Sequence, residues 1–308
     1  MQPIIHEVGP RDGLQIETRS VSTGQKIKWI DELIESGVDV IQLGSFVSPK
    51  RVPQMADTEM LFEHYFPRSK GRVRFSCFVL NEKGLDRGLA AGAEFFCMGV
   101  SASETHSRRN TGVGSDEALS QILPMARRAV AAGATVQLSV QSAFGCGDEG
   151  PVPEGRVLEI VDRYLDEGHL RISLADTAGH ATPDRVERLF SAIQDHGSEV
   201  ELACHFHDTY GLALANCWAA LRAGVQSFES AFAGLGGCPF TALSGGNVPT
   251  EDLVHLFQRM ELRPDIALER LTEVARRAEA FFERPLPGVI HRVGAIPSNA
   301  IHAMATEG

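Results

Sequence analysis

The chain has 308 residues, of which 43% are hydrophobic, so it is long enough to bury the core of one large α/β domain. Its formal net charge of -11 and its pI of about 5.5, without a run of basic residues, argue against a nucleic-acid or anionic-membrane partner. It has no long apolar segment, no signal-peptide pattern and no Cys-x-x-Cys pair among its six cysteines, so we expect a cytoplasmic protein with reduced thiols.

Short apolar runs recur along the chain, and most of them follow a glycine of the kind that ends a helix. In chain order, the predicted strands cover residues 4–8, 38–43, 73–79, 93–100, 135–140, 170–175, 199–204 and 225–232. Helical patterns fill most of the intervals, including residues 23–36, 116–132, 153–166, 183–195 and 212–222. A further helix is predicted over residues 267–282, before a tail that contains proline and glycine.

Alternation of eight strands with helices predicts a parallel sheet closed into a (β/α)8 TIM barrel with additional C-terminal helices. An open, doubly wound sheet is the alternative before motifs are considered. We assign residues 1–308 to a single barrel domain, with a core over about residues 3–260 and a C-terminal helical extension and tail over residues 261–308.

Metal-capable side chains follow the predicted strands at their carboxyl ends, which is where active sites lie in this fold. His205 and His207 stand at i and i+2 near the end of the seventh strand, so both imidazoles face the same side. A bare pair of this kind is more often two ordinary polar residues at a strand end. That interpretation changes because further metal-capable residues follow other strands. They are Asp12 after the first strand, Asp176 after the sixth and Asn247 after the eighth. Together they predict a divalent-metal site assembled from distant segments.

Four segments in the right order resemble the 3-hydroxy-3-methylglutaryl-CoA lyase family, which belongs to a superfamily of metal-dependent lyases and Claisen-condensing barrels. The segments are residues 7–15, 45–49, 205–215 and 234–252. The similarity runs from about residue 3 to about residue 280. The resemblance strengthens the predictions of the fold, the metal and the reaction class. The substrate class is implied by the resemblance alone.

The resemblance implies that Asp12, His205, His207 and Asn247 bind the metal. A carboxylate, two imidazoles and an amide oxygen suit Mg²⁺ or Mn²⁺, and zinc is less favoured because the set has no thiolate. The alternatives are a turn aspartate before Gly13 and, for Asn247, a loop residue that tolerates left-handed geometry.

The implied reaction is a retro-Claisen cleavage of a 3-hydroxyacyl-CoA to acetyl-CoA and a keto acid. Hydroxymethylglutaryl-CoA and related 3-hydroxy-3-carboxymethyl or citramalyl-type thioesters are the expected substrates. Arg11 is expected to stabilise the developing enolate, and Cys238, in a glycine-rich loop, to protonate it. The alternatives are a salt bridge between Arg11 and Glu7 or another carboxylate at this end of the barrel, and a purely structural Cys238.

Further polar positions match the family, and some depart from it. Asp176 and Glu251 match, with helix capping as the alternative for Glu251. Gln42 stands where the family has a glutamate, so this position in the predicted site can orient a water but cannot accept a proton. Residues 16–19, 141–142 and 286–292 also depart. Because the changes cluster near the predicted substrate pocket, we expect a lyase whose acyl group can differ from hydroxymethylglutaryl.

Two other functions stay open from the sequence. A Claisen-condensing acyl-CoA synthase of the same superfamily usually lacks the cysteine loop and has a longer C-terminal region. A non-catalytic barrel that binds an acyl-CoA is motivated by Gln42. In each case we expect an acyl-CoA thioester partner and a homodimer, and no organic cofactor, nucleic acid or membrane.

Overall fold

The computed structural model describes residues 2–66, 71, 73–237 and 245–296. Eight parallel strands pair in chain order, and the first pairs with the last, which closes the sheet into a barrel. The strands are β1 Ile4–Glu7, β2 Val40–Ser45, β3 Arg74–Phe78, β4 Phe95–Ser101, β5 Thr135–Gln141, β6 Arg171–Asp176, β7 Glu201–Phe206 and β8 Ser227–Ser230. The predicted (β/α)8 barrel is therefore confirmed, and the open sheet is wrong.

Helices surround the barrel and extend it at the C-terminal end of the chain. They are α1 Thr23–Ser36, α2 Thr58–Tyr65, α3 Glu82–Ala90, α4 Glu104–Thr111, α5 Ser115–Ala131, α6 Glu154–Asp166, α7 Pro183–Gln194, α8 Ala213–Arg222, α9 Thr250–Arg259, α10 Leu268–Phe282 and α11 Ile290–Val293. Among the residues that the structure describes, no helix combines the length and the apolar character that a membrane span needs.

Most predicted strands begin one or two residues too early, and before β4 and β8 the cause is the end of the preceding helix. Ala93 donates its N–H to the carbonyl oxygen of Gly88 at 2.9 Å, and Val225 donates to Ala220 at 3.0 Å. These bonds complete the helix C-termini, so the two apolar residues are buried before the ladder starts. Hydrophobicity alone does not separate a buried cap from the first residue of a strand.

The chain leaves β1 through a π-helical turn, Gly9–Gly13, that carries Arg11 and Asp12 to the carboxyl end of the barrel. The Asp12 N–H donates to the carbonyl oxygen of Val8 at 2.7 Å. A Cβ atom at Gly13 would lie 2.9 Å from Cβ of Leu235, so glycine permits close contact with the segment after β8. Single π-helical turns are frequent at functional sites because they redirect side chains locally.

Glu7, at the end of β1, is completely buried behind this turn. Its Oε1 accepts hydrogen bonds from the backbone N–H groups of Gly9 at 2.6 Å and Phe232 at 3.1 Å. The Thr250 hydroxyl lies 2.6 Å from Oε2. Burial nevertheless dominates and raises the pKa of Glu7 to about 8.

The free energy of unfolding is expected to fall as the pH rises from about 4.5 to about 8, because folded Glu7 keeps a proton that the unfolded chain releases. At about 1.4 kcal/mol per pKa unit, the upper bound of this loss is about 5 kcal/mol. Glu7→Gln preserves the shape and is expected to flatten the pH dependence in urea unfolding. Glu273→Gln, on the exposed face of α10, is the control, and a Glu7→Gln profile as steep as that of the control contradicts the assignment.

Candidate functional site

Three buried side chains converge at the carboxyl end of the barrel. His205 lies in β7, His207 follows that strand directly, and Asp12 comes from the turn after β1. The two Nε2 atoms are 3.1 Å apart, and each lies 3.8 Å from Oδ2 of Asp12. All three potential ligand atoms fall within 4.8 Å of one another. Two imidazole nitrogens and a carboxylate oxygen are thus aimed at one point.

Asn247 completes this group. It forms an isolated antiparallel bridge with His207, which places its side chain beside Asp12. Its Nδ2 donates to Oδ2 of Asp12 and to the carbonyl oxygen of Leu235, both at 2.9 Å. Its Oδ1 is buried without a hydrogen-bond partner among the described residues. An unpaired amide oxygen next to one carboxylate and two imidazoles fits a divalent cation that prefers oxygen and nitrogen ligands.

His205 is held in place from behind by Glu229 of β8. Its Nδ1 lies 2.8 Å from Oε2 of Glu229, and Oε1 of the same carboxylate accepts a hydrogen bond from Gln137 at 2.6 Å. Burial alone would raise the pKa of Glu229, but the hydrogen bond with His205 and nearby positive charges lower it to about 2. The ionised carboxylate fixes the proton on Nδ1 and leaves Nε2 directed at Asp12.

Sequence reasoning missed Glu229 and Gln137. The available signal was a single acidic residue in the predicted strand over residues 225–232, since an unpaired charge is rarely buried.

Removing the negative charge of Glu229 is expected to weaken binding of Mn²⁺ about 10- to 100-fold in Glu229→Gln, because the His205 ring loses its orienting partner. Isothermal titration of the metal-free protein with Mn²⁺ measures this. Glu117→Gln, exposed on α5, is the matched control, and equal affinities in the two variants would show that Glu229 does not orient the histidine.

Arg11 lies beside the cluster with its guanidinium held on two sides. Its Nη1 forms a salt bridge with Oδ1 of Asp12 at 2.6 Å, and its Nε donates to Oε1 of Gln42. The guanidinium carbon also stands 4.7 Å from the centre of the Phe78 ring. The carboxylate that pairs with Arg11 is therefore Asp12 and not Glu7. A permanently charged group is fixed next to the candidate metal site.

The charge of Asp12 is well compensated. Burial opposes its ionisation, but Arg11 and the two histidines hold the pKa of Asp12 well below its ordinary range. Gln15 donates a further hydrogen bond to Oδ1 at 3.0 Å. Asp12 is consequently ionised at neutral pH, as a metal ligand must be.

These side chains line a cavity of about 340 Å³ at the carboxyl end of the barrel. Arg11, Asp12, Gln42, His205 and His207 all contribute to its wall. A cavity of this size, with a few convergent charged groups, is typical of a small-molecule site. Gln42 is 1% exposed and reaches this cavity through β2, so its neutral amide lies inside the site.

Asp176 ends β6 and is fully buried, but it is not among the described residues that line the cavity. Its carboxylate accepts hydrogen bonds from the backbone N–H groups of His180 at 2.8 Å and Ala181 at 3.0 Å. Burial raises its pKa to about 6. The observed contacts hold the loop after β6, and a catalytic role for Asp176 stays a prediction.

Glu251, in the first turn of α9, is also buried and is absent from the described cavity wall. Its Oε2 accepts the N–H of Ala233 at 3.0 Å, and its Oε1 lies 2.9 Å from Nδ1 of His291 in α11. Glu251 therefore joins the segment after β8 to α11, and these contacts come in addition to its position in the first turn of α9. Its predicted catalytic role is likewise untested.

The model of the HMGL-like family matches residues 2–277 of this chain. The chain belongs to this family. The hydroxymethylglutaryl-CoA lyase of Bacillus subtilis is 37% identical over 283 residues, which cover 92% of this chain and 94% of that protein. The mitochondrial hydroxymethylglutaryl-CoA lyase of Homo sapiens is 40% identical over 271 residues, covering 87% and 82%.

Solved structures of relatives have the same fold. The HMG-CoA lyase of Bacillus subtilis matches with a TM-score of 0.90 at 35% identity, covering 95% of this chain and 97% of that one. An HMG-CoA lyase from Acinetobacter baumannii, in complex with coenzyme A and 3-methylmalate, matches with a TM-score of 0.89 at 33% identity, and the match covers 96% of each chain. These relatives are named lyases, which favours the lyase over the condensing alternative for this HMGL-like chain.

Cys238 lies outside the described residues. Gly237, the last described residue before it, lines the cavity. A Cβ atom at Gly236 would lie 2.5 Å from Nδ2 of Asn247, so the chain enters the undescribed segment directly beside a predicted metal ligand. The role of Cys238 in this HMGL-like chain stays a prediction.

Proposed function

We propose that this protein is a divalent-metal-dependent lyase that cleaves a 3-hydroxyacyl-CoA to acetyl-CoA and a keto acid. Hydroxymethylglutaryl-CoA, which would give acetoacetate, and the related thioesters are the candidate substrates. The observation that carries the proposal is the convergence of Asp12, His205, His207 and Asn247 on one point beside Arg11, in a chain of the HMGL-like family.

Asp12, His205, His207 and Asn247 would hold the metal, which would supply Lewis acidity toward the hydroxyl oxygen of the substrate. A base takes the hydroxyl proton, and the oxygen forms the new carbonyl of the keto acid as the bond between C2 and C3 breaks. The electron pair of that bond becomes the enolate of acetyl-CoA, and a proton delivered to C2 completes the product.

Arg11 is suited to the negative charge that develops on the enolate oxygen. Its contacts with Asp12 and Gln42 fix the guanidinium before the substrate arrives, so little reorganisation is needed as the charge forms. The neutral amide of Gln42 holds Arg11 without neutralising it, which leaves Asp12 as its ionic partner among the described residues.

Cys238 is proposed to deliver the final proton to C2. Cys238→Ala is expected to retain Mn²⁺ affinity and to lose most acetyl-CoA release, because the metal site is intact while the proton donor is absent. Titration calorimetry and a turnover assay measure the two effects on the same sample. Cys217→Ala, in α8 and away from the cavity wall, is the control. Full turnover in Cys238→Ala would defeat the assigned role.

We further propose Mg²⁺ or Mn²⁺ as the metal, an acyl-CoA thioester as the substrate class, a cytoplasmic location and a homodimeric state for a single-domain chain. The donor set supports the metal. The complex of the Acinetobacter baumannii relative with coenzyme A supports the thioester. The dimer, the location and the domain assignment follow the family resemblance and the composition.

The direct test incubates the metal-loaded protein with hydroxymethylglutaryl-CoA and with citramalyl-CoA and follows acetyl-CoA release. Chelation is expected to stop the reaction, and added Mg²⁺ or Mn²⁺ to restore it. Failure of the metal-loaded protein to cleave any thioester would sink the proposal. Net condensation of acetyl-CoA with a keto acid, without the reverse cleavage, would point to the synthase.

A further inference from the structure

The cavity has a second side, across the barrel from Arg11 and Asp12. We call it the far wall and define it as the cavity-lining residues of β4, β5 and β6. In an eight-stranded barrel these strands lie opposite β8, β1 and β2. Glu229 lies in β8, and Arg11 and Asp12 follow β1. The far wall consists of Cys97, Gln137, Ser139, Gln141, Ser173 and Ala175.

Small side chains occupy the far wall beside the metal cluster. Ala175 pairs with His205 on the neighbouring strand, so its methyl group lies at the level of that histidine. Ser139 pairs with Ser173, which precedes Ala175 in β6, so the two hydroxyl groups line a deeper part of the wall. Barrel interiors are usually filled by bulky branched residues such as valine, isoleucine and leucine. Here a methyl group next to His205 and two hydroxymethyl groups below it leave open volume in the cavity.

The far wall is uncharged and rich in hydrogen-bonding groups. Its amides and hydroxyls can each donate and accept. Ser173 is 1% exposed, and its hydroxyl has no hydrogen-bond partner in the part of the chain that the structure describes. A buried hydroxyl without a partner is unfavourable, so a polar group that enters the cavity would stabilise it.

The charges around the far wall disfavour an anion there. The Glu229 carboxyl group accepts a hydrogen bond from Gln137 and lies 2.8 Å from Nδ1 of His205, so an acidic group already borders the far wall. Arg11, the permanent cation among the described lining residues, stands on the opposite side and is already paired with Asp12. Residues 238–244 contain no lysine or arginine. A carboxylate on the far wall would be desolvated beside another carboxylate.

The four substituents at C3 of the proposed substrate differ in their charge, and this decides which of them suits the far wall. In the proposed lyase reaction C3 bears a hydroxyl, the thioester arm, a carboxymethyl arm and one further substituent. In that reaction the hydroxyl would lie at the metal ligands, and the thioester arm, whose carbonyl oxygen becomes the enolate oxygen, would lie at Arg11. The carboxylate would be attracted to the cation that Asp12, His205, His207 and Asn247 would hold. The remaining substituent is left to extend away from this charged side.

We propose that the far wall is a subsite for a C3 substituent that is larger than methyl, electrically neutral and hydrogen-bonding, such as one that ends in a hydroxyl. The subsite rests on the proposed lyase function and specifies its substrate class. The methyl group of hydroxymethylglutaryl-CoA fills little of this space and makes no hydrogen bond with Ser139 or Ser173. Hydroxymethylglutaryl-CoA is therefore a slower substrate than a thioester with the longer polar group.

The test compares kcat/KM for 3-hydroxyglutaryl-CoA thioesters whose C3 substituent is methyl, propyl, 3-hydroxypropyl or 2-carboxyethyl. We expect 3-hydroxypropyl to exceed methyl at least about tenfold, since one buried hydrogen bond and added apolar area together exceed about 1.4 kcal/mol. Propyl is expected to fall between them, and 2-carboxyethyl to be the poorest. A preference for methyl, or equal values for 3-hydroxypropyl and 2-carboxyethyl, overturns the subsite.

Ser139→Leu fills the space and removes a hydroxyl. The ratio of kcat/KM for 3-hydroxypropyl over methyl is expected to fall at least tenfold in this variant. Ser120→Leu, exposed on α5, is the matched control and is expected to keep the wild-type ratio. Mn²⁺ affinity within about threefold of wild type confirms that the Ser139→Leu protein has an intact metal site. An unchanged ratio in such a protein overturns the proposal.

Binding separates this inference from the lyase proposal. Dissociation constants are measured for the same thioesters without the 3-hydroxyl group, which cannot undergo the cleavage. The subsite is supported, even if no thioester is cleaved, when affinity decreases in the order 3-hydroxypropyl, propyl, methyl. In Ser139→Leu the preference for 3-hydroxypropyl is then expected to disappear. If this order holds and no thioester is cleaved, the lyase proposal alone fails. Equal dissociation constants for all substituents overturn the subsite whether or not turnover occurs.

Discussion

His207→Ala is expected to lose metal binding and acetyl-CoA release together. The variant removes one of two imidazole nitrogens that lie 3.1 Å apart and each 3.8 Å from the Asp12 carboxylate. Loss of a residue that only orients a ligand weakens metal affinity about 10- to 100-fold, so loss of the ligand itself is expected to exceed about 100-fold. Isothermal titration with Mn²⁺ and a turnover assay at saturating metal measure both quantities.

His255→Ala is the matched control for this experiment. His255 is partly buried in α9 and does not line the cavity, so the substitution removes an imidazole without touching the cluster. The control is expected to keep wild-type affinity and turnover. A His207→Ala protein that binds Mn²⁺ within about threefold of the control would exclude His207 as a ligand.

The barrel could be predicted because parallel strands covered on both faces appear as short apolar runs, and glycine marks the helix ends between them. The predicted C-terminal ends of the strands were less accurate where polar residues continue the hydrogen-bond ladder. Gln141 and Asp176 complete β5 and β6 although hydropathy ends each strand one residue earlier. Backbone pairing, which fixes those residues, is invisible to a pattern based on side-chain polarity.

Asp12, His205 and His207 could be predicted because they lie at or shortly after the ends of strands, and a closed barrel brings those ends together. Asn247 lies well beyond the end of β8 and joins them through its bridge with His207.

The residues that hold the metal ligands and the neighbouring segments in place had no such pattern in the sequence. Gln137 and Glu229 meet across 92 positions of sequence, and Glu251 meets His291 across 40. Such pairs depend on register and on the packing of the C-terminal helices, which local spacing does not determine.

Arg11→Gln is expected to give the opposite signature to His207→Ala, with metal retained and turnover lost. The variant removes a positive charge that lies 2.6 Å from Asp12, so the carboxylate becomes more available to a cation and Mn²⁺ affinity is expected to stay or rise. The enolate loses its fixed cation. Removing one preorganised donor for a developing oxyanion typically lowers kcat about 10²- to 10³-fold, and a similar loss is expected here.

The geometry of Arg11 also predicts that charge alone is insufficient. Arg11→Lys keeps the positive charge but cannot reproduce the two-sided hold by Asp12 and Gln42, so we expect kcat between those of wild type and Arg11→Gln. Arg222→Gln, exposed at the end of α8, controls for the loss of one surface charge. If Arg11→Gln lowered Mn²⁺ affinity and kcat in parallel, as His207→Ala is expected to, Arg11 would be a support of the metal site. A loss of kcat without a loss of Mn²⁺ affinity instead identifies Arg11 as the group that stabilises the negative charge of the enolate.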